Sequence, residues 1–176
     1  MMNGIIRIMV HSLFRTEQFK KKQLKKVSKK IHNKRILEIC SEVGYEKGKR
    51  NSIYKMFNGS NEFIKSDIDI KTKNRFLDIS KESIEREFDV IICLNVMEHI
   101  YSYETAIKNI YNGLKQGGIT ILSVPAFYPI DNEQKDYWRF TKDSLREMLK
   151  QFDKTIIKHQ GLKKFPFSYF IIAKKE

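Results

Sequence analysis

Residues 88–100 read FDVIICLNVMEHI and contain the strongest strand signal in the chain. The first half of this segment is almost entirely apolar, which is typical of a strand that is buried on both faces of a sheet. The second half brings three polar groups close together, at Asn95, Glu98 and His99. We therefore predict a central strand whose carboxyl end opens on a functional site.

Strand and helix patterns alternate on either side of this segment. Predicted strands cover 35–39, 62–68, 74–79, 118–124, 154–160 and 168–175, and predicted helices cover 16–32, 103–115 and 141–152, with a helical turn at 51–57. This alternation indicates an α/β fold with a mostly parallel sheet that is covered on both faces. Ligands of such sheets bind beyond the carboxyl ends of the strands. Three acids end other strands at that edge: Glu38, Asp67 and Asp78.

The chain carries a net charge of +13, most of it at one end. Residues 1–35 hold eleven Lys or Arg and one acid, whereas the remainder is close to neutral. We therefore divide the chain into a basic N-terminal helical segment, 1–34, and a single domain, 35–176. No run approaches the roughly 20 apolar residues that span a bilayer, and the cysteines and histidines form no metal-ligand pattern. We expect a cytoplasmic protein without a bound metal.

Six segments carry a resemblance to one enzyme family: RILEI (35–39), KSDIDI (65–70), RFLDI (75–79), FDVIICLNVMEHI (88–100), LKQGGITILSVP (114–125) and DYWRFT (136–141). In these segments the chain resembles the class I S-adenosylmethionine-dependent methyltransferases. Within that class it is similar to small members that are often encoded with bacterial surface-polysaccharide genes. The resemblance implies a Rossmann-like, doubly wound sheet of seven strands, mostly parallel, with the last strand antiparallel.

The resemblance also implies which residues contact S-adenosylmethionine. The acid after the second strand, Asp67 or alternatively Asp69, would bind the ribose. The end of the third strand would hold the adenine, and the end of the fourth would flank the methionine part. The implied set is Glu38, Cys40, Ser41, Gly44, Asp67, Ile68, Asp78, Ile79, Leu94 and Asn95. The turn after the first strand departs from the family, because Cys40 and Glu42 stand near positions where the family has glycines.

The acceptor is expected between the end of the fourth strand and the aromatic segment 125–141. The residues implied there are Glu98, Tyr128, Asp131, Tyr137, Trp138 and Arg139. His99 has two interpretations, a structural hydrogen bonder or the general base of catalysis. Trp138 also has two: it contacts a sugar or an anionic group, or it seals the base of the loop with Phe140 while Thr141 caps the next helix.

Two functions follow from this interpretation. The first is methyl transfer from S-adenosylmethionine to a small-molecule or glycan acceptor: a sugar, a nucleotide-sugar or a lipid-linked polysaccharide intermediate. The alternative, prompted by the altered glycine turn, is a non-catalytic member of the fold that acts as a binding or partner subunit. A nucleic-acid substrate is disfavoured. The end of the fourth strand lacks the Asn/Asp-Pro-Pro-aromatic signature of base-amino methyltransferases, and Cys93 lacks the preceding proline of cytosine-C5 enzymes.

The basic segment 1–35 also has two interpretations. Leu24, Val27 and Ile31 fall on one face of a helix, which favours packing on the domain. Alternatively, the apolar runs and lysines of this segment contact an anionic membrane, which would place the enzyme peripherally at the inner face of the membrane. A lipid-linked acceptor would make that location useful.

Overall fold

The computed structural model describes residues 4–39, 53–57, 59–69, 71, 73–130 and 134–176, with side chains from residue 15 onward. Within these residues seven strands form one sheet: β1 (Arg35–Ile39), β2 (Glu62–Asp67), β3 (Arg75–Phe76), β4 (Phe88–Leu94), β5 (Leu114–Pro125), β6 (Lys154–Leu162) and β7 (Phe165–Lys174). The helices are α1 (Gly4–Ser28), α2 (Tyr103–Gly113) and α3 (Lys142–Met148), with short 3₁₀ helices at Ile53–Met56 and Met97–His99.

The strand order is β3-β2-β1-β4-β5-β7-β6. Strands β1 to β5 pair in parallel, whereas β7 runs antiparallel to both of its neighbours. The predicted seven-stranded, Rossmann-like sheet with an antiparallel last strand is therefore confirmed. The strand predicted to be central, β4, lies in the middle of the sheet.

Both faces of β4 are covered, which explains its apolar sequence. On one face, Ile91 and Cys93 belong to a core that includes residues of α2 and α3. On the other face, Val90 and Ile92 share a core with Leu24 of α1. Successive residues of the strand therefore point into two different cores, as the pleat of a strand requires.

Helix α1 is longer than predicted and ends earlier. It covers Gly4–Ser28, whereas the apolar spacing indicated 16–32. Leu24 and, just beyond the helix, Ile31 are buried against the sheet, and Val27 packs beside them. The predicted packing of this face on the domain is confirmed.

Strand β3 is shorter than the predicted strand at 74–79. It keeps only Arg75–Phe76, which pair with the end of β2. Just beyond it, a carboxylate oxygen of Asp78 accepts hydrogen bonds from the Ser80 backbone N–H at 3.1 Å and from the Ser80 hydroxyl at 2.6 Å. Such a side-chain-to-backbone turn competes with strand extension.

The two later helices also end earlier than predicted. Helix α2 ends at Gly113 because Leu114 is fully buried and pairs with Phe88 in the sheet. Helix α3 begins as predicted, since the Thr141 hydroxyl accepts the backbone N–H of Ser144 at 3.2 Å. Its α-helical part stops at Met148 rather than at residue 152.

Candidate functional site

A cavity of about 280 Å³ lies at the carboxyl edge of the sheet. It is lined by Ile68, Asp78, Ile79, Ser80, Asn95, Val96, His99, Ile100, Tyr101, Ser102, Gln134 and Tyr137. Residues that follow β2, β3 and β4 thus meet the aromatic segment at one place, because parallel strands present their carboxyl ends on the same edge. Six residues assigned from the sequence line this cavity: Ile68, Asp78, Ile79, Asn95, His99 and Tyr137.

Asp78 presents a carboxylate to this cavity. Partial burial acts to raise the pKa of Asp78, but hydrogen bonds from Ser80 and Lys81 outweigh it, so the pKa lies below its usual value. Lys81 Nζ is 2.9 Å from the second carboxylate oxygen. A carboxylate has about four acceptor positions, so it can also accept a hydrogen bond from a ligand. Ile68 and Ile79 supply apolar surface beside it.

Asn95 follows β4 in a left-handed backbone conformation, with φ of 53°. Asparagine tolerates this region better than most residues do. Its side-chain oxygen accepts a 2.6 Å hydrogen bond from the Ser123 hydroxyl, and its backbone N–H donates to the Ser123 carbonyl at 2.9 Å. The neighbouring strand β5 therefore fixes the orientation of the amide, whose NH₂ group is the donor that it can offer to a ligand.

Asp67 does not line the cavity. It is fully buried at the end of β2, and its Oδ1 accepts the backbone N–H of Asp69 at 3.1 Å. Glu38 and Leu94 are half-buried at the ends of their strands. The contacts of these residues with a ligand stay predictions. Four other assigned residues lie outside the described residues: Cys40, Ser41, Gly44 and Asp131.

His99 lies in the 3₁₀ turn after β4 and lines the cavity. Its Nδ1 is 2.8 Å from the carbonyl oxygen of Lys135. A carbonyl only accepts, so the proton of the neutral ring is on Nδ1, and Nε2 is the atom that can accept a proton. The hydrogen bond to Lys135 ties the ring to the aromatic segment, while the tautomer suits a general base. Both interpretations of His99 thus stay open.

Glu98 occupies an unusual position beneath the site. Its side chain is buried, and one carboxylate oxygen has no hydrogen-bond partner. Burial raises the pKa of Glu98 to about 8, while Lys20 and Arg139 act to lower it and Asp136 acts to raise it. Glu98 does not line the cavity. Its backbone carbonyl instead accepts the N–H groups of Tyr137 and Trp138, at 2.8 and 3.2 Å, so it anchors the aromatic segment.

A second cavity, also of about 280 Å³, adjoins the first through Tyr137. Its lining is Ala126, Phe127, Tyr128, Ile130, Asp136, Tyr137, Trp138 and Arg139. Four residues assigned to the acceptor therefore surround this space: Tyr128, Tyr137, Trp138 and Arg139. Arg139 forms an ion pair with the Asp136 side chain, with Nη2 2.6 Å from Oδ2.

Trp138 lines this second cavity and also contacts other residues of the protein. Its indole N–H donates to the carbonyl of Ile100 at 3.1 Å, and its ring packs edge-to-face on Tyr103. Phe140 is buried beside it, and Thr141 caps α3. The predicted seal at the base of the loop is therefore present, and contact of Trp138 with an acceptor stays a prediction.

The sequence interpretation missed several residues of the site. The missed lining residues of the first cavity are Ser80, Val96, Ile100, Tyr101, Ser102 and Gln134. Ser80 stands two residues after Asp78, a spacing typical of side-chain turns, and could have been found on that ground. Asp136 pairs with Arg139 three residues later, whereas Ser123 showed no sequence signal because it lies within a buried strand.

A family model described as a methyltransferase domain matches residues 11–159. The fold and this match identify the protein class as S-adenosylmethionine-dependent class I methyltransferases. The chain belongs to this methyltransferase domain family, whose cofactor is S-adenosylmethionine. Comparison with curated proteins found no match.

Solved structures support the same fold. The 1,6-didemethyltoxoflavin-N1-methyltransferase of Burkholderia thailandensis, solved with 1,6-didemethyltoxoflavin and S-adenosylhomocysteine, has a TM-score of 0.63 and 15% identity over 98% of this chain and 89% of its own. N-methyltransferase NodS of Bradyrhizobium japonicum, with S-adenosylhomocysteine, has a TM-score of 0.61 and 15% identity over 90% and 87%. The CurJ carbon methyltransferase has a TM-score of 0.62 and 17% identity over 81% of this chain. The match spans only 48% of the CurJ chain.

The described residues fit the cofactor of the family. An ionised carboxylate at Asp78 suits the amino group of adenine, and Ile68 and Ile79 suit its faces. Asn95 lines the same cavity. In the part of the chain that the structure describes, no helix combines the length and apolarity needed to cross a bilayer.

Proposed function

We propose that this chain transfers the methyl group of S-adenosylmethionine to an oxygen or nitrogen of a small polar acceptor: a sugar, a nucleotide-sugar or a lipid-linked polysaccharide intermediate. One observation carries the proposal. Asp78 and Asn95, which we assign to the cofactor, share a single cavity with His99 and Tyr137, which we assign to the acceptor. A cavity of this kind lets the enzyme align an acceptor atom with the methyl carbon, and alignment supplies much of the rate enhancement.

Aromatic rings at the mouth of the cavity favour a glycan acceptor. Tyr101 and Tyr137 are both exposed, and their rings pack edge-to-face with centroids 5.4 Å apart. Such rings offer an apolar face to the C–H side of a sugar, while their hydroxyls can hydrogen-bond its polar groups. The second cavity extends this aromatic surface toward Tyr128 and Trp138.

Methyl transfer from this cofactor requires no covalent bond between the protein and the methyl group. S-adenosylmethionine supplies a methyl group on a sulfonium, which is a good leaving group, so no enzyme nucleophile is needed. The residues of this chain would hold the cofactor at Asp78 and Asn95, orient the acceptor at Tyr137, and exclude water from between them. His99, with its proton held on Nδ1 by the Lys135 carbonyl, would take the acceptor proton at Nε2.

The test has two parts. Calorimetry measures S-adenosylhomocysteine binding to the full chain. Transfer of a labelled methyl group is then measured to free sugars, nucleotide-sugars and polyprenyl-linked sugars separately. We expect binding, and transfer to one of these classes that Tyr137→Ala reduces at least tenfold. Tyr54→Ala, a substitution of an equally exposed tyrosine outside both cavities, is the matched control.

Two results would contradict the proposal in different ways. Absence of binding at millimolar S-adenosylhomocysteine would favour the non-catalytic partner subunit. Binding with no transfer to any glycan class, together with methylation of a nitrogen heterocycle, would keep the methyltransferase and overturn the acceptor class.

A further inference from the structure

Large apolar side chains are exposed together at the edge of the sheet where β5 and β6 end and β7 begins. They are Phe127 (55% exposed), Ile130 (74%), Leu162 (73%) and Phe165 (48%), and we call them the edge patch. Monomeric proteins commonly expose such residues singly, whereas a group of them marks an interaction surface. The patch is independent of the cofactor-side residues, since none of its members lines the first cavity.

The edge patch is held in place by the sheet. The ring centroids of Phe127 and Phe165 lie 4.6 Å apart, and both rings contact Phe167 at about 6 Å. The backbone N–H groups of Ala126 and Phe127 donate to the Phe167 carbonyl at 2.9 and 3.2 Å. Leu162 pairs with Phe165 across the turn between β6 and β7. The exposed rings therefore sit on a rigid hairpin base.

Positive charge lies at the same edge. Lys163 and Lys164 form the tip of the β6–β7 hairpin, between Leu162 and Phe165, and both are exposed. Lysines that flank exposed aromatic and aliphatic side chains suit the interface of an anionic bilayer, where the apolar groups enter the headgroup layer and the ammonium groups meet lipid phosphates.

Helix α1 leads to the same edge. Thr16 donates to Gln160 at 3.0 Å, and Lys158 donates to Gln23 at 3.0 Å. The helix therefore runs against the direction of β6, and its N-terminal half continues past Gln160 toward the side on which β6 ends. That half spans roughly 18 Å at 1.5 Å per residue. Its sequence, residues 4–15, is mostly apolar with two arginines and no acid.

The patch borders the acceptor side of the site. Phe127 and Ile130 line the second cavity together with Tyr137 and Arg139, and Tyr137 also lines the first cavity. A surface that binds the edge patch would thus lie against the second cavity, which adjoins the first cavity at Tyr137.

We propose that the edge patch, with Lys163 and Lys164, docks on an anionic lipid bilayer and turns the acceptor side of the site toward the headgroup layer. This deepens the proposed function, on which its acceptor part rests, by selecting lipid-linked glycans among the acceptors. Charge favours a membrane over a second copy of the chain. Two copies facing through this patch would bring like-charged lysines together, whereas anionic lipid neutralises them.

Vesicle co-sedimentation of the full chain tests the docking. We expect binding to vesicles of phosphatidylcholine with phosphatidylglycerol, release at high salt, and no binding to phosphatidylcholine alone. Lys163→Gln with Lys164→Gln should weaken binding by roughly tenfold or more, and Leu162→Ser should weaken it as well. The controls are Lys55→Gln with Lys108→Gln and, for the apolar change, Ile156→Ser, all at exposed positions away from the hairpin tip. Thermal unfolding checks that each variant is folded.

Several outcomes would overturn the docking: equal binding to both vesicle types, binding to neither, or equal losses in the controls. A dimer in analytical ultracentrifugation that Leu162→Ser dissociates would assign the patch to a second copy. S-adenosylhomocysteine affinity separates the two proposals, because the hairpin-tip variants touch neither cavity. Lost docking with intact affinity overturns the docking alone, whereas docking without any affinity overturns the proposed function alone.

Discussion

The Ser123 hydroxyl donates a 2.6 Å hydrogen bond to the side-chain oxygen of Asn95, and so joins the carboxyl ends of β5 and β4. Ser123 is buried, whereas Asn95 lines the cavity. A residue without contact to the cavity thus sets the direction in which the amide donates. Two substitutions at Asn95 separate the contribution of the side-chain amide to ligand binding from the contribution of the left-handed backbone to stability.

Asn95→Gly keeps the left-handed backbone accessible and removes only the amide. We expect it to weaken S-adenosylhomocysteine by about tenfold, the usual cost of a hydrogen bond lost from a buried partner. Asn95→Ala should in addition lose about 1 kcal/mol of stability, because alanine is strained at φ of 53°. Calorimetry measures the change in affinity, and urea unfolding measures the change in stability.

Ser123→Ala should weaken S-adenosylhomocysteine binding when it is introduced into the wild type, and it should have no further effect when it is introduced into the Asn95→Gly variant. Additive losses would contradict the coupling.

Asp78→Asn should also weaken S-adenosylhomocysteine by about tenfold, since an amide oxygen is a poorer acceptor than the carboxylate. Asp143→Asn, at an exposed position in α3, serves as the control in the same calorimetric titration. Unchanged affinity for Asp78→Asn would mean that the adenine does not bind at Asp78.

Asp67→Ala is also expected to weaken S-adenosylhomocysteine binding. Because Asp67 is buried and accepts the Asp69 N–H, that variant should lose stability as well.

His99→Asn distinguishes the two interpretations of His99. An asparagine amide can keep the hydrogen bond to the Lys135 carbonyl, which lies 2.8 Å from Nδ1, but it cannot accept a proton. A general base contributes about 10²- to 10⁴-fold, so kcat should fall within that range while S-adenosylhomocysteine affinity is unchanged. If His99→Asn retains full turnover and only His99→Ala loses it, the residue is structural.

Glu98 predicts an unusual dependence of stability on pH. Its folded pKa is raised from 4.5 to about 8, so the folded state keeps a proton that the unfolded state releases within this interval. Stability from this group is therefore greatest below about pH 4.5, falls as the pH rises to about 8, and is constant above. The loss is at most about 5 kcal/mol, from about 1.4 kcal/mol for each pKa unit between 4.5 and about 8.

Glu98→Gln should remove this dependence, because the amide fills the same space without ionising. Urea unfolding near the two ends of the interval should show the variant gaining stability relative to the wild type as the pH rises. The charged groups Lys20, Asp136 and Arg139 stay in place in the variant. Glu85→Gln, at an exposed position, is the control. A constant difference between wild type and Glu98→Gln would mean that the carboxyl does not titrate in this range.

The sheet could be predicted because the pattern of apolar residues in a strand indicates which of its faces are buried. The run at β4 is apolar on both faces, and both faces are covered. Element ends were harder, since β3 stops where the Asp78 side chain turns back on Ser80, and α2 stops where Leu114 enters the sheet. Each of these two ends depends on one residue contact that the spacing of apolar residues does not predict.

The site was partly predictable for a related reason. Asp78 and Asn95 stand at strand ends, and the topology of a parallel sheet brings such positions together. Ser123 acts through Asn95, which lies in another segment of the chain. Glu98 is buried beside the aromatic segment, whose Tyr137 and Trp138 N–H groups donate to its carbonyl, and the linear sequence does not reveal this contact.

Helix α1 offers a final test of how the basic segment relates to the domain. Leu24 is 1% exposed and belongs to the core on the α1 face of the sheet. Leu24→Ala should cost about 2 to 5 kcal/mol in the free energy of unfolding, through lost burial and the cavity left behind. Lys25→Ala, the next residue and exposed, should change it by less than about 0.5 kcal/mol. Urea unfolding gives both values. If Leu24→Ala unfolds like the wild type, α1 contributes nothing to the domain core, and 1–34 would be an independent segment.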